Sequence, residues 1–494
     1  MAIFDAFERK MTAVGMGEAP IRAFRRNYEA LLRHESGLIP EQDIVPATDL
    51  TSMAVLDGNG AAAVDLFDQA VVIKLNGGLG TSMGLQGPKS LLPIREGVNF
   101  LDLMVRQILD LRQHSGSNIR LLLMNSFSTS RETLHHLAHC GGGAGMLPAS
   151  STNHTDPCLS AHGAGGAGML PASSINHTAT WLSDPAQVEL MQNQIPKIDA
   201  ATLAPVTWPA DQELEWCPPG HGDLFPALVG SGWLDRLLAA GVRYAFVSNS
   251  DNLGATLDPA LLKYFADSGA PFLMEVTRRT AADRKGGHLA VRKSDGRLLL
   301  REVAQCPKAD LAAFQDIERH RYFNTNSLWL RLDLLKAQLA ADSGVLPLPM
   351  ISNRKTVDPR DQTSPAVIQL ETAMGAAIEC FAGAAAIEVP RSRFAPVKNT
   401  ADLLALRSDA YEILDNGQVR LHPDRHGVPP VITLSDDYRL VDQLDALGVP
   451  SLLRCRSLTV IGPAHFPPGT VLEGDVTWSG TWNVSWIGTC QSPV

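Results

Sequence analysis

Residues 74–90 read Lys-Leu-Asn-Gly-Gly-Leu-Gly-Thr-Ser-Met-Gly-Leu-Gln-Gly-Pro-Lys-Ser, with four glycines in the eight positions from 77 to 84. Lacking Cβ atoms, such a stretch lets backbone N–H groups approach and surround an anion. Lys89 adds the point charge that holds a phosphate. Neither common phosphate fingerprint fits. Met83 stands where a dinucleotide-binding motif needs glycine, and Pro88 precedes Lys89 where a P-loop needs glycine. Dehydrogenases and P-loop NTPases therefore lose ground. The plain alternative is a glycine-rich turn, and the Lys89-Ser90 ending favours phosphate.

A second constellation is Cys217-Pro-Pro-Gly-His-Gly-Asp223. The diproline stiffens the entry to a turn, and flanking glycines leave His221 uncrowded, so it can donate to a base edge or a phosphate. Asp223 is expected to cap the following helix. The third is Ser248-Asn249-Ser250-Asp251-Asn252, at the end of an apolar run. Ligands of open α/β sheets bind beyond the carboxyl ends of the strands, where a carboxylate suits Mg²⁺ bound to phosphate oxygens. An ordinary Asn/Asp turn is the competing reading. Further along, Glu302, Asn324, Asn326 and Glu371 could bond sugar hydroxyls, and Lys398 offers a second cation. A rival zinc site could use His135, His136, His139, Cys140, Cys158 and His162. Their order matches no common zinc module, and histidines on a solvated helix face are the preferred reading.

These residues need elements to position them. Residues 69–75, 119–124, 242–247 and 271–276 read as short buried strands, and residues 101–111 and 223–240 as helices, the latter broken near Gly230 and Gly232. Alternating strands and helices predict an α/β domain with a largely parallel sheet. Before it, Ile21, Phe24, Tyr28, Leu31 and Leu32 form one apolar helix face. The expected organisation is a helical segment over 1–68, a catalytic domain over 69–400 and a β-rich module over 401–494 that looks cut short. Within 141–185 lies a repeat: residues 142–155 recur at 165–178 with only Thr152 replaced by Ile175. Two Gly/Ala/Ser-rich copies read as a surface loop.

The chain has 494 residues and a net charge of −10, which disfavours general nucleic-acid binding. No apolar run approaches the roughly 18 residues of a membrane span. The start lacks a basic-then-apolar signal. Seven cysteines lie widely spaced without C-x-x-C, so a reducing, cytoplasmic location is expected.

Together the motifs LNGGLGTSMG with GPKS, LMNSF, PPGHGD, SNSDN, KGG, FNTN, QLETA and PRSRFAPVK stand in the order of one family. The chain resembles the eukaryotic-type UTP–glucose-1-phosphate uridylyltransferases, or UDP-glucose pyrophosphorylases, over about residues 20–470. The resemblance implies a nucleotide-diphosphosugar transferase (Rossmann-like) domain and a C-terminal β-helix-like module, here short. It implies that UTP and glucose-1-phosphate give UDP-glucose and pyrophosphate with Mg²⁺. Leu75, Asn76, Gly77 and Gly78 would hold the nucleotide, with Met124 and Gln192 lining a uracil pocket. Gly220 and His221 would touch nucleotide and sugar phosphate. Asn249 and Asp251 would meet ribose, phosphate and metal, and Gly287, Glu302 and Asn326 the sugar. Lys89 and Lys398 would hold the phosphates. A homo-oligomer contact through the C-terminal module is the protein partner it suggests. Two other readings stay open: another sugar-1-phosphate as acceptor, or a non-catalytic sugar-nucleotide binder. The repeat lies just before Gln192, where it could displace the cover of the uracil pocket.

Overall fold

The computed structural model describes residues 2–35, 37–56, 64–95, 97–141 and 180–479. Residues 142–179, which hold the repeat, lie outside the described residues, as do 480–494.

The main sheet is built on strand β1 (Ala70–Asn76), whose sequence AVVIKLN is apolar on both faces. Val72 packs into one buried cluster with Leu121, Leu123 and Phe246. Val71 and Ile73 pack into another, on the opposite face, with Leu122, Ala245 and Val247. Burial on both faces is what a near-continuous Val/Ile/Leu run requires. β1 lies between β2 (Arg120–Asn125) and β4 (Tyr244–Asn249), parallel to both, and β3 (Glu189–Met191) continues the parallel set beyond β2. On the other side β5 (Phe272–Arg278) pairs parallel with β8 (Ala385–Glu388).

The sheet is parallel-dominated, as expected, with antiparallel pairing added to it. β6 (Tyr322–Arg331) runs antiparallel between β4 and β5. This strand carries the FNTN motif. Asn326 of this strand lies beside the carboxyl end of β4, where it bonds Asn249.

Helix α1 (Ala2–Ala13) and helix α2 (Glu18–Leu32) bury Phe4, Phe7, Phe24 and Tyr28 against Ile195, Ile198, Ile368 and Leu370. The expected apolar stripe holds for Ile21, Phe24 and Tyr28, but Leu32 is 46% exposed at the helix end. Ile368 and Leu370 belong to β7 (Ala366–Thr372), part of a small antiparallel sheet with Met350–Thr356 and Ile198–Asp199. Helix α3 (Phe100–Ser115) starts at a reciprocal Asn99/Asp102 capping box and stops at Gly116, whose φ is 69°. Helix α4 (Ser130–Gly141) follows the LMNSF segment. The expected break near Gly230 and Gly232 separates α5 (Leu224–Gly230) from α6 (Trp233–Ala239).

After α7 (Thr400–Arg407) come three strands, β9 (Val431–Leu434), β10 (Ser451–Ile461) and β11 (Val471–Ser479), paired parallel in sequence order. Leu403, Leu404, Leu444, Leu452 and Leu458 share a buried cluster with Val72 and Leu121. The C-terminal strands therefore rest on the core that supports β1. Among the described residues no helix is long and apolar enough to cross a membrane.

Candidate active site

The parallel strands β1, β2 and β4 end side by side at Asn76, Asn125 and Asn249. The chain leaves β1 into the glycine loop. That loop closes on itself where Lys89 N–H donates to the Gly78 carbonyl at 3.1 Å. It thereby carries Lys89 back over the sheet edge. There Lys89 Nζ meets Asp251 Oδ2 at 2.7 Å, with the two side chains 16% and 20% exposed. Asp251 Oδ1 is buried and has no hydrogen-bond partner in the protein. A buried carboxylate oxygen needs a donor or a cation.

Lys398 comes to the same place from far along the chain. Asn252 Nδ2 donates to the Arg393 carbonyl, and Asn252 Oδ1 accepts from Ala395 N–H, both at 3.1 Å. Val397 N–H donates to the Asp251 carbonyl at 3.1 Å. Arg393 is fixed in turn by two 2.8 Å bonds to the buried Glu275 carboxylate. Beyond these ties, Asp402 Oδ2 accepts from Lys398 N–H at 2.8 Å and from Asn399 N–H at 3.1 Å. The exposed Lys398 amine stands 5.5 Å from the Phe394 ring centre and 6.0 Å from that of Phe323.

The candidate sugar pocket lies next to it. A Cβ on Gly287 would fall 2.5 Å from Glu302 Oε1, so only glycine leaves that carboxylate its place. Burial raises the Glu302 pKa, and the nearby Lys398 charge pulls it back down. Asn326 has a left-handed φ of 59° and donates from Nδ2 to Asn249 Oδ1 at 2.9 Å. Its own Oδ1 is buried without a partner. Asparagine tolerates this left-handed conformation, and the unsatisfied amide oxygen leaves an acceptor that a ligand could use.

On the nucleotide side, Gln192 Nε2 donates to the Gly220 carbonyl at 3.1 Å, and its backbone N–H to the Asn125 carbonyl at 2.7 Å. A Cβ on Gly77 would lie 2.6 Å from Gln192 Oε1, so the glycine loop and Gln192 face each other directly. Gly78 is exposed and Leu75 half-buried at the mouth. The side chains of Asn76 and Met124 turn inward. Asn76 bonds Asn125 and Thr133, and Met124 packs among core residues. His221 Nδ1 accepts from Met374 N–H at 3.0 Å. Burial lowers its pKa to about 4, so the ring is neutral near pH 7.

Gly220 has a φ of 78°, and a Cβ there would sit 2.5 Å from the Thr372 carbonyl oxygen. Gly220→Ala is therefore expected to destabilise the fold by at least about 1–3 kcal/mol. Urea unfolding measures this, and an unchanged midpoint would contradict the close packing of 220 on β7.

Three contributors escaped the sequence reading. Asp223 takes the N-cap position of α5 as expected, but its side chain makes no cap bond and instead binds Asn193. Asp402 anchors Lys398, and the Asn399-x-x-Asp402 capping pattern was its only local sign. Lys74 is buried under the site, donating to Ser248 Oγ at 2.8 Å and to the Ala255 carbonyl at 2.6 Å. Burial lowers its pKa to about 7. Among the described residues no group of three or more His, Cys, Asp or Glu side chains could hold a metal. His136 in the zinc candidate bonds Asp102 instead, and Cys158 and His162 lie outside the described residues.

The family model of UTP–glucose-1-phosphate uridylyltransferase matches residues 21–145 and 177–473. The yeast enzyme of that name, from Saccharomyces cerevisiae, is 39% identical over 84% of this chain and 74% of its own. That of Solanum tuberosum is 38% identical over 89% and 82%. In structure the chain is similar to a variant UDP-glucose pyrophosphorylase from Leishmania major. That protein is 42% identical with a TM-score of 0.84, over 99% of this chain and 98% of the other. Another variant of the Leishmania major protein, solved in complex with UDP-glucose, has a TM-score of 0.83 at 44% identity, over 96% and 94%. By sequence and by fold, this chain belongs to the UTP–glucose-1-phosphate uridylyltransferase family.

Proposed function

We propose that the chain transfers a uridylyl group from UTP to glucose-1-phosphate, giving UDP-glucose and pyrophosphate. The observation that carries this reading is the convergence of Lys89, Asp251 and Lys398 at the carboxyl ends of the parallel strands β1, β2 and β4, beside the Gly287/Glu302/Asn326 pocket. A phosphate oxygen of glucose-1-phosphate attacks the α-phosphorus of UTP in line. The bond from that phosphorus to the bridging oxygen breaks, and pyrophosphate leaves with the electron pair. No protein nucleophile takes part, so positioning and charge neutralisation carry the rate. The glycine loop from Leu75 to Gly78 cradles the triphosphate, and Gln192 faces the base with Met124 beneath it. Lys89 neutralises charge on the departing pyrophosphate. Lys398 draws the incoming phosphate toward the α-phosphorus against like-charge repulsion. Glu302, Asn326 and Asn249 hold sugar and ribose hydroxyls, His221 and Gly220 touch the nucleotide and the sugar phosphate, and Gly287 leaves room.

The partnerless Asp251 Oδ1 fits a hard cation. One carboxylate with phosphate oxygens and water is the usual Mg²⁺ set. Bound there, Mg²⁺ would neutralise phosphate charge. The parallel strands β9 to β11 suit the opening rungs of a β-helix-like module. The free Cys217, Cys306, Cys380 and Cys455 suit a reducing, cytoplasmic setting.

A panel of sugar-1-phosphates tests the acceptor. Turnover with UTP is expected to be greatest for glucose-1-phosphate. Greater turnover with galactose-1-phosphate or an N-acetylhexosamine phosphate would overturn the assignment. UDP-glucose binding without turnover would make the chain a binder.

A further inference from the structure

Asp223 ends the Pro-Pro-Gly-His-Gly-Asp motif and takes a helix N-cap position, but the structure uses its side chain otherwise. It is 3% exposed. Its Oδ2 accepts from the backbone N–H of Asn193 at 2.7 Å, and Asn193 Nδ2 donates to Oδ1 at 3.0 Å and Oδ2 at 3.1 Å. One residue, Asn193, thus supplies every hydrogen bond seen on this carboxylate. Asn193 follows Gln192 directly. Gln192 in turn donates to the carbonyl of Gly220, three residues before Asp223. The two short segments, 192–193 and 220–223, are clamped at both ends. The clamp leaves Gln192 Oε1 facing the glycine loop at Gly77.

Such an arrangement is costly. Burial raises the Asp223 pKa to about 7, and the Asn193 bonds only partly offset this. A buried carboxylate without a cationic partner is a poor source of stability. The return lies in placement: three bonds to one residue fix its backbone and side chain together.

We infer that Asp223, acting through Asn193, is a positioning residue that orients Gln192 for recognition of the pyrimidine base of UTP. This rests on the proposed role of Gln192 at the base. Asp223 touches no substrate. Its loss is expected to act on nucleotide affinity and base choice rather than on the phosphoryl step. A purely structural carboxylate would instead lower stability and all kinetic constants together.

The test uses full-length Asn193→Ala, Asp223→Asn and Gln192→Ala, assayed for KM of UTP, KM of glucose-1-phosphate, kcat and the UTP/CTP ratio of kcat/KM. Loss of hydrogen bonds to a charged group corresponds to roughly a tenfold or greater rise in KM for UTP. Asn193→Ala is expected to show that rise with a lower UTP/CTP ratio, while kcat and KM for glucose-1-phosphate stay within about twofold. Asp223→Asn keeps one acceptor oxygen for the Asn193 N–H and should fall between wild type and Asn193→Ala. If Gln192→Ala raises KM for UTP but the other two variants do not, the positioning role is wrong and the base reading survives. If Gln192→Ala leaves KM for UTP unchanged, the base reading fails and the inference with it. If Asp223→Asn does not fold, Asn193→Ala decides alone. Equal losses in every constant would make the pair structural.

Discussion

Lys398→Ala should lower kcat by roughly 10²–10³-fold, the usual cost of losing one preorganised charge contact to a developing transition-state charge. The amine has what such a role needs. Its backbone is pinned by Asp402 and by the bond from Val397 to Asp251. Its amine stands over the Phe394 and Phe323 rings. Its charge is felt by Glu302 in the candidate sugar pocket. It is exposed, so removal leaves no buried hole, and the fold should be unaffected. KM for UTP should change little, because the proposed nucleotide contacts are the glycine loop and Gln192 rather than Lys398. Steady-state kinetics with UTP titration and a thermal melt separate these effects. Near-normal turnover would remove Lys398 from the site.

Asp251→Asn is the second large effect. The amide keeps the shape and loses the charge that faces Lys89 and would face a cation. Breaking a hydrogen-bonded charge pair of this kind costs about 2–5 kcal/mol, which expressed fully in rate is roughly 30-fold to a few thousand-fold. Activity should stay low even at saturating Mg²⁺. Metal-stripped wild type should be inactive in EDTA and recover with Mg²⁺. Full activity in EDTA would sink the metal role of Asp251, and recovery with zinc alone would revive the histidine and cysteine group near residue 136.

How far the sequence reading reached depends on range. Strand β1, the glycine loop and the SNSDN turn were legible because apolar runs and glycine spacing act over a few residues. Helices α3, α5 and α6 fell where periodicity and glycines put them. The direction of β6 was not legible: its partners β4 and β5 precede it in the chain, and strand pairing is non-local. The Asp223 side chain misled because its N-cap position suits a cap bond, whereas its actual partner lies thirty residues away, at Asn193. Asn252 stood in a motif, but nothing local showed that its side chain ties residues 393 and 395. That tie is what brings Lys398 to Asp251. The family motifs named most candidate positions, while the structure supplied the links among them.

The most direct test mixes the purified full-length chain with UTP, glucose-1-phosphate and Mg²⁺ and quantifies both products. UDP-glucose and pyrophosphate should form in equal amounts, and adding pyrophosphate to UDP-glucose should regenerate UTP and glucose-1-phosphate. Absence of product in both directions, from folded protein that still binds UDP-glucose, would contradict the proposed transferase.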